Sequence, residues 1–148
     1  IKAQEILGSR YGVSAEVWSV TSSKELLRDA LDAERRTRLR PDQDAVTPFV
    51  TQSLAGDGVV VAASDYTRAL PATIARFVPG PFVTLGTDGF GRSDGRAALR
   101  DFFEVDARHI AYAALSALAR EGRLQASVAI SAATDLGIDR DRLDPATR

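Results

Sequence analysis

The sequence predicts an α/β domain with three layers, α/β/α, and a mainly parallel sheet. Short runs of β-branched and aromatic residues alternate along the chain with longer amphipathic stretches of helical periodicity. One of these runs, Val59–Ala63, is apolar at every position, which is typical of a strand covered on both faces of a parallel sheet. Because 148 residues fit around one hydrophobic core, we expect residues 1–148 to form a single domain.

The first third of the chain predicts a helix, a strand and a second helix. The opening residues carry an apolar stripe at helical spacing, and Gly12 is placed to end that helix. The stretch 15–22, "AEVWSVTS", alternates at period two and predicts the first strand. Ser22 with Glu25 three residues later is the pattern of a helix cap, and the following helix is expected to run to about Leu39.

The remaining two thirds repeat this alternation. The predicted elements up to the second apolar run are a loop with one or two helical turns over 41–57, a strand at 59–63, a helix beginning close to Thr67 and a strand at 82–85. Three helices are predicted after that strand, at 97–103, from Ala107, and through Leu136. Asp106 is the predicted cap of the helix from Ala107, and Ile110, Ala114 and Leu118 form its predicted buried face.

The loop between the strand at 82–85 and the next helix, "GTDGFGRSDG", is rich in glycine and acid. Its position after a strand and before a helix suits a phosphate cradle, but the spacing from Gly89 is one residue longer than the dinucleotide fingerprint. Asp88 and Asp94 would also place negative charge where a diphosphate has to lie. We therefore predict a shaped turn in which Ser93 or Asp94 caps the following helix.

The same loop is the candidate interface of the chain, through its residues Asp88, Gly89, Phe90, Gly91, Arg92, Ser93 and Asp94. Arg92 is expected to pair with an acid. Phe90, flanked by two glycines, either anchors the loop in the core of this domain or inserts into a neighbouring one. The sequence alone leaves both alternatives open.

Composition narrows the function classes. The formal charge of −1 gives no general attraction to nucleic acid or to anionic membranes, and no apolar run is long enough to span a bilayer. The absence of cysteine favours the cytoplasm. His109 is the only histidine, so a catalytic Ser-His-Asp set or a histidine-rich metal site is not expected, and we predict no catalytic, cofactor-binding or metal-binding residue in the chain.

Two features remain open at this stage. The arginines at 35, 36, 38 and 40 suit the negative end of a helix dipole and could alternatively bind an anion or a partner. The chain contains no Met and opens inside a helical pattern, which predicts a piece excised from a longer protein whose sheet lacks its first strand. That missing strand would complete a β-α-β unit with the opening helix and the strand at 15–22.

The strings "VWSVTS", "LDAERRTRLRP", "PFVTQSL", "VAASDYTRALP" and "VTLGTDGFGRSDGRAALRDFFEVDARHIAYAAL" resemble the C-terminal domain of the homodimeric bacterial pyruvate dehydrogenase decarboxylating component. The resemblance covers nearly the whole chain in order. It departs at Arg36 and Thr37, where the family pattern has an aromatic residue and Asn. The resemblance implies a fold like that of the transketolase C-terminal domain, which is an α/β unit.

The resemblance also implies a function for the parent protein. Members of the family are thiamine-diphosphate enzymes that decarboxylate pyruvate and acetylate the lipoyl group of dihydrolipoyl acetyltransferase. Thiamine diphosphate and magnesium are bound there by the upstream domains, outside the region that matches this chain. The implied role of the chain is scaffolding, with the upstream domains, the homodimer partner and the acetyltransferase as its partners. The alternative is an independent regulatory α/β module that binds a small molecule or anion at Gly86–Gly95.

Overall fold

The computed structural model describes residues 1–147. Its helices and strands, in chain order, are α1 Lys2–Tyr11, α2 Ser23–Leu39, α3 Phe49–Ser53, β1 Val60–Ala63, α4 Ala69–Ala72, β2 Phe82–Leu85, α5 Arg96–Phe102, α6 Ala107–Arg120 and α7 Ala126–Asp135. Two single 3₁₀ turns, Ala75–Phe77 and Pro145–Thr147, complete the architecture. No helix among these residues is long and apolar enough to cross a membrane.

The two strands form a parallel sheet in which Val60 pairs with Phe82 and Ala63 with Leu85. Successive side chains on a strand point to opposite faces, and each face of this sheet has its own core. Val61 packs against a core built by α1, α6 and α7 around Leu115. Val60 packs against a second core, which α2, α3 and the 75–77 turn build. The predicted α/β/α layering is confirmed.

Local signals set the helix boundaries much as predicted. The Ser22 hydroxyl accepts a hydrogen bond from the Glu25 amide at 3.2 Å and caps α2. Gly12 ends α1 in the left-handed conformation with a φ of 64°. The Asp106 carboxylate accepts from the amides of Arg108 and His109, both at 3.0 Å, and caps α6. Short-range chemistry was sufficient at these positions because each cap depends only on residues within one helical turn.

The predicted first strand at 15–22 is wrong. The segment between α1 and α2 contains no strand, and among the described residues it pairs with no other segment. Val17, Trp18 and Val20 are more than half exposed, at 56%, 56% and 57%. A segment with a period-two apolar pattern suits a pleated, half-buried surface. It forms a strand only where the backbone of another strand hydrogen-bonds to it.

Two predicted helices differ in detail. The helix expected from Thr67 is a four-residue α4 followed by a 3₁₀ turn, because Thr73 and Ile74 donate to carbonyls only three residues back. On α6 the buried face is wider than predicted: Ala114 is buried as expected and so are His109, Ala111 and Leu115, while Ile110 and Leu118 are half-buried. The reason is that α6 contacts α1, α7 and both strands, so its buried surface is wider than a single stripe.

Candidate functional site

The candidate interface of the sequence is a loop of residues 86–95, here called the Phe90 loop. It leaves the carboxyl end of β2 and lies against the turn that leaves the carboxyl end of β1. The Thr87 amide donates to the Tyr66 carbonyl at 2.9 Å, and the Thr87 hydroxyl donates to the Asp65 carbonyl at 3.1 Å. The start of the loop is therefore fixed to its neighbour by one backbone and one side-chain hydrogen bond of Thr87.

Gly86 makes this close approach possible. A Cβ atom at position 86 would lie 2.6 Å from the Tyr66 carbonyl oxygen and 2.7 Å from the Arg68 amide nitrogen. Both contacts are with backbone, which cannot rotate out of the way as a side chain can. Only glycine fits between the two turns at this position.

Asp88 is held by Arg68 through two hydrogen bonds. The Arg68 amide donates to Asp88 Oδ1 at 2.9 Å, and the Arg68 guanidinium Nε donates to Asp88 Oδ2. The hydrogen bond from the Arg68 side chain lowers the pKa of Asp88, against the effect of burial, and the same bond raises the pKa of Arg68. The carboxylate thus occupies the backbone N–H that a phosphate would need at this edge.

Gly89 lies against the C-terminal tail of the chain. Its φ is 95°, which L side chains rarely adopt, and a Cβ there would lie 3.0 Å from Ala146 Cα. The next residue, Phe90, is 85% exposed. Phe90 therefore does not anchor the loop in the core of this domain, and its insertion into a neighbouring domain stays a prediction.

Arg92 fixes the second half of the loop, but not in the predicted way. Its guanidinium carbon lies 4.0 Å from the centroid of the Phe102 ring, a cation–π contact, and it forms no ion pair among the described residues. Arg142 of the tail also reaches this ring, at 5.9 Å, and donates to the Asp101 carbonyl at 3.2 Å. The Phe102 ring is therefore a common support for the loop and the tail.

The predicted cap of the helix after the loop is wrong. The N-cap residue of α5 is Gly95, and its first turn has no side-chain cap hydrogen bond among the residues that the structure describes. Asp94 Oδ1 accepts at 2.6 Å from the Gly95 amide, one position before the first turn. Gly91 and Ser93 are exposed. The helix begins at Arg96, after an extended Gly95, so the Asp94 carboxylate accepts from the Gly95 amide and not from an amide of the first helical turn.

A second group of polar side chains lies outside the loop. Ligand-type atoms of Asp101, Asp106 and His109 lie within 4.8 Å of one another, as a metal site would require. Arg108 already supplies the positive charge there: its Nη2 donates to Asp101 and lies 2.8 Å from Asp106 Oδ2. His109 Nδ1 lies 2.8 Å from Asp106 Oδ1. The geometry is that of a helix cap with an ion-pair network.

Asp106 keeps its charge in this network. Burial alone would raise the pKa of Asp106, but hydrogen bonds from the backbone and side chain of His109 and from Arg108 outweigh it, and the pKa is lowered. The hydrogen bonds that Arg108 makes to Asp106 and Asp101 raise the pKa of Arg108 in turn. Both changes stabilise the ionised pair in the folded protein.

Replacing Asp106 with alanine is expected to lower the free energy of unfolding at pH 7 by about 2 kcal/mol, because α6 loses its cap and Arg108 a charged partner. The pKa of Asp106 is lower in the folded chain than the value of about 3.9 in the unfolded one. The contribution of Asp106 to the free energy of unfolding is therefore fully present above that pH. It is lost as the pH falls through the folded pKa. Urea unfolding at pH 7 and pH 3 should show the difference between native and variant shrinking at pH 3.

The matched control is Asp94→Ala, since Asp94 is exposed and, within residues 1–147, accepts a hydrogen bond only from the adjacent Gly95 amide. Its unfolding free energy should stay within about 0.5 kcal/mol of native. A native-to-Asp106→Ala difference of equal size at both pH values would show that the carboxylate charge contributes nothing.

Comparison with known families agrees with this fold. A family model described as the transketolase-like TK C-terminal domain matches residues 1–106, which is more than half of the chain. The chain belongs to this transketolase-like C-terminal domain family. The resemblance seen in the sequence is confirmed.

The relatives of this transketolase-like domain include several curated proteins named pyruvate dehydrogenase E1 component. The protein from Mycolicibacterium smegmatis is 48% identical over 140 residues, which cover 94% of this chain and 15% of the relative. Those from Haemophilus influenzae and Escherichia coli K12 are 45% and 41% identical, each over 145 residues, which cover 97% of this chain and 16% of the relative. The chain thus spans about one sixth of the length of these relatives. Their names favour the C-terminal-domain interpretation over an independent anion-binding module.

Sequence reasoning found the Phe90 loop but missed what holds it. Tyr66 and Arg68, on the turn after β1, and Ala146, on the tail, are far from the loop along the chain. One signal for the first two was available, because the carboxyl ends of neighbouring parallel strands meet at one edge of a sheet. No sequence signal pointed to Ala146, an ordinary residue in a charged tail.

Proposed function

We propose that this chain is the C-terminal assembly domain of a pyruvate dehydrogenase E1 component. The parent enzyme would decarboxylate pyruvate oxidatively and acetylate the lipoyl group of dihydrolipoyl acetyltransferase. Identity of 40–48% to proteins of that name, over 94–98% of the chain, supports the assignment. The partners would be the upstream domains, a second subunit and the acetyltransferase, in the cytoplasm.

Neither the Phe90 loop nor the Asp101–Asp106 pair fits the cofactors of such an enzyme. A diphosphate needs free backbone N–H groups. At the Phe90 loop the Arg68 amide already donates to the Asp88 carboxylate, and the Thr87 amide already donates to the Tyr66 carbonyl. Magnesium needs carboxylate oxygens, and Arg108 occupies those of Asp101 and Asp106. In the proposed division of labour, thiamine diphosphate and magnesium are held by the upstream domains.

The exposure of Phe90, on a loop held by contacts on both sides of it, is the observation that carries the assembly role. Its loop is fixed by Thr87 and Asp88 on one side and by the Arg92–Phe102 contact on the other, while the ring itself is 85% exposed. Aromatic side chains on a preorganised support lose little entropy on binding and are enriched among residues that dominate interfaces. We infer that Phe90 docks into another domain of the enzyme.

Titration calorimetry tests the division of labour. Thiamine diphosphate with magnesium is expected to give a saturable binding isotherm with the full-length protein and none with the 148-residue chain, because neither the Phe90 loop nor the Asp101–Asp106 pair offers a fitting site. Circular dichroism of the 148-residue chain serves as the control that it is folded. Saturable binding to the folded chain would refute the proposal.

A further inference from the structure

The end of α2 and the segment that follows it enclose a groove on the surface of the chain, here called the Leu39 groove. It has a volume of about 440 Å³. Its lining combines cations, acids and apolar side chains, among them Arg35, Arg36, Leu39, Arg40, Asp44 and Val46. None of these residues belongs to the Phe90 loop or to the Asp106 network, so the groove is a separate surface feature.

Thr37 holds the two walls of the Leu39 groove together. The Thr37 hydroxyl donates to the Ala33 carbonyl of α2 at 3.0 Å and accepts from the Val46 amide at 2.9 Å. The Gln43 amide donates to the Arg40 carbonyl at 3.1 Å and turns the chain back towards α2. The groove is therefore shaped by the folded backbone and not only by the positions of long side chains.

The arginines of the groove carry more charge than its acids neutralise. Arg36 pairs with Asp32 at 2.6 Å. Arg35 and Arg40 are exposed, and neither forms an ion pair among residues 1–147. Asp44, the remaining carboxylate of the lining, forms none there either. The lining thus keeps a net positive charge in a chain whose formal charge is −1, and it can attract an acidic group locally.

Two apolar side chains lie exposed among these charges. Leu39 is 58% exposed and Val46 is 42% exposed. An apolar centre with arginine around it is the composition of a protein–protein interface, in which arginine is enriched. A small inorganic anion would gain nothing from Leu39 and Val46, and it would meet the C-terminal end of α2, where the helix dipole is negative. The groove therefore fits an acidic peptide better than a small anion.

We propose that the Leu39 groove docks an acidic segment of a partner protein, in which carboxylates flank one apolar side chain. The apolar side chain covers Leu39 and Val46, and the carboxylates pair with Arg35 and Arg40, whose guanidinium groups match a carboxylate with two parallel hydrogen bonds. Arg38 lines a neighbouring groove that shares Val46, and it also forms no ion pair among residues 1–147. It supplies a further cation to a segment that extends past Val46.

Fluorescence anisotropy on the full-length protein tests the docking site. The probe is a fluorescein-labelled peptide in which two aspartates flank a central leucine on each side, and a second peptide carries serine in place of the leucine. The native protein is expected to bind the leucine peptide at least about 10-fold more tightly, because only leucine buries apolar surface on Leu39 and Val46. The double substitution Arg35→Gln, Arg40→Gln is expected to weaken binding of the leucine peptide at least about 10-fold.

The matched control is the double substitution Arg120→Gln, Arg140→Gln. It removes the same charge from two exposed arginines that lie outside the groove and form no ion pair among residues 1–147. Its dissociation constant for the leucine peptide should stay within about 2-fold of native, because charges farther apart than a Debye length of about 8 Å are largely screened. Equal weakening by the two double variants would show attraction by overall charge alone and overturn the docking site.

Two other outcomes would also overturn the proposal. One is that the native protein binds the leucine peptide no more tightly than the serine peptide, or binds neither to saturation. The other is saturable binding of inorganic pyrophosphate that Arg35→Gln, Arg40→Gln abolishes while no peptide binds, which would assign the groove to a small anion. The titration contains no thiamine diphosphate, so its result is independent of the proposed function.

Discussion

Replacing Gly86 with alanine is expected to lower the free energy of unfolding of the chain by about 3 kcal/mol. The new methyl group would lie within 2.7 Å of two backbone atoms, the Tyr66 carbonyl oxygen and the Arg68 amide nitrogen. The turns after β1 and β2 would have to separate, which would weaken the hydrogen bonds of Thr87 and Asp88 across them. Urea unfolding followed by circular dichroism measures the effect.

Gly91→Ala is the matched control for this substitution. A Cβ at position 91 meets no atom of residues 1–147 within 4 Å, and the residue does not have a positive φ. Its unfolding free energy should therefore stay within about 0.5 kcal/mol of native. If the two variants are equally stable, the close approach at Gly86 does not hold the two turns together.

Replacing Phe90 with alanine is expected to affect the full-length protein and not the isolated domain. The ring is 85% exposed in the domain, so the melting temperature of the 148-residue chain should be nearly unchanged. Truncation of an aromatic anchor in an interface costs about 2 to 4 kcal/mol. The full-length protein should therefore melt at a lower temperature than native in differential scanning calorimetry.

Phe49→Ala is the matched control, because it makes the same substitution at another exposed phenylalanine. Phe49 is also exposed, at 59%, but it lies at the start of α3, away from the Phe90 loop. Its truncation should leave both proteins close to native. Equal melting temperatures of native and Phe90→Ala full-length protein would return Phe90 to an ordinary exposed side chain.

The sequence was sufficient wherever structure depends on neighbours along the chain. The caps at Ser22 and Asp106 and the helix end at Gly12 need only one turn of sequence, and β2 was predicted at its observed bounds, Phe82–Leu85. The fold class followed from the alternation of such elements.

The sequence was insufficient wherever structure depends on a distant partner. "AEVWSVTS" has strand composition, but a strand also needs a second strand, and none of the described residues provides it. Arg92 has acids close to it in sequence, yet its guanidinium carbon lies 4.0 Å from the centroid of the Phe102 ring, at the end of α5. Contacts of this kind are set by packing, which no local spacing encodes.

Whether the Phe90 loop docks into the rest of the proposed parent enzyme is tested most directly by photocrosslinking. p-Benzoylphenylalanine would replace Phe90 in the full-length protein, and mass spectrometry would map the crosslinked residue. The expected crosslink joins position 90 to a residue outside the 148-residue chain, in an upstream domain or in the second subunit. Crosslinks confined to this chain, or none above the level of the same probe at Phe49, would contradict the docking role.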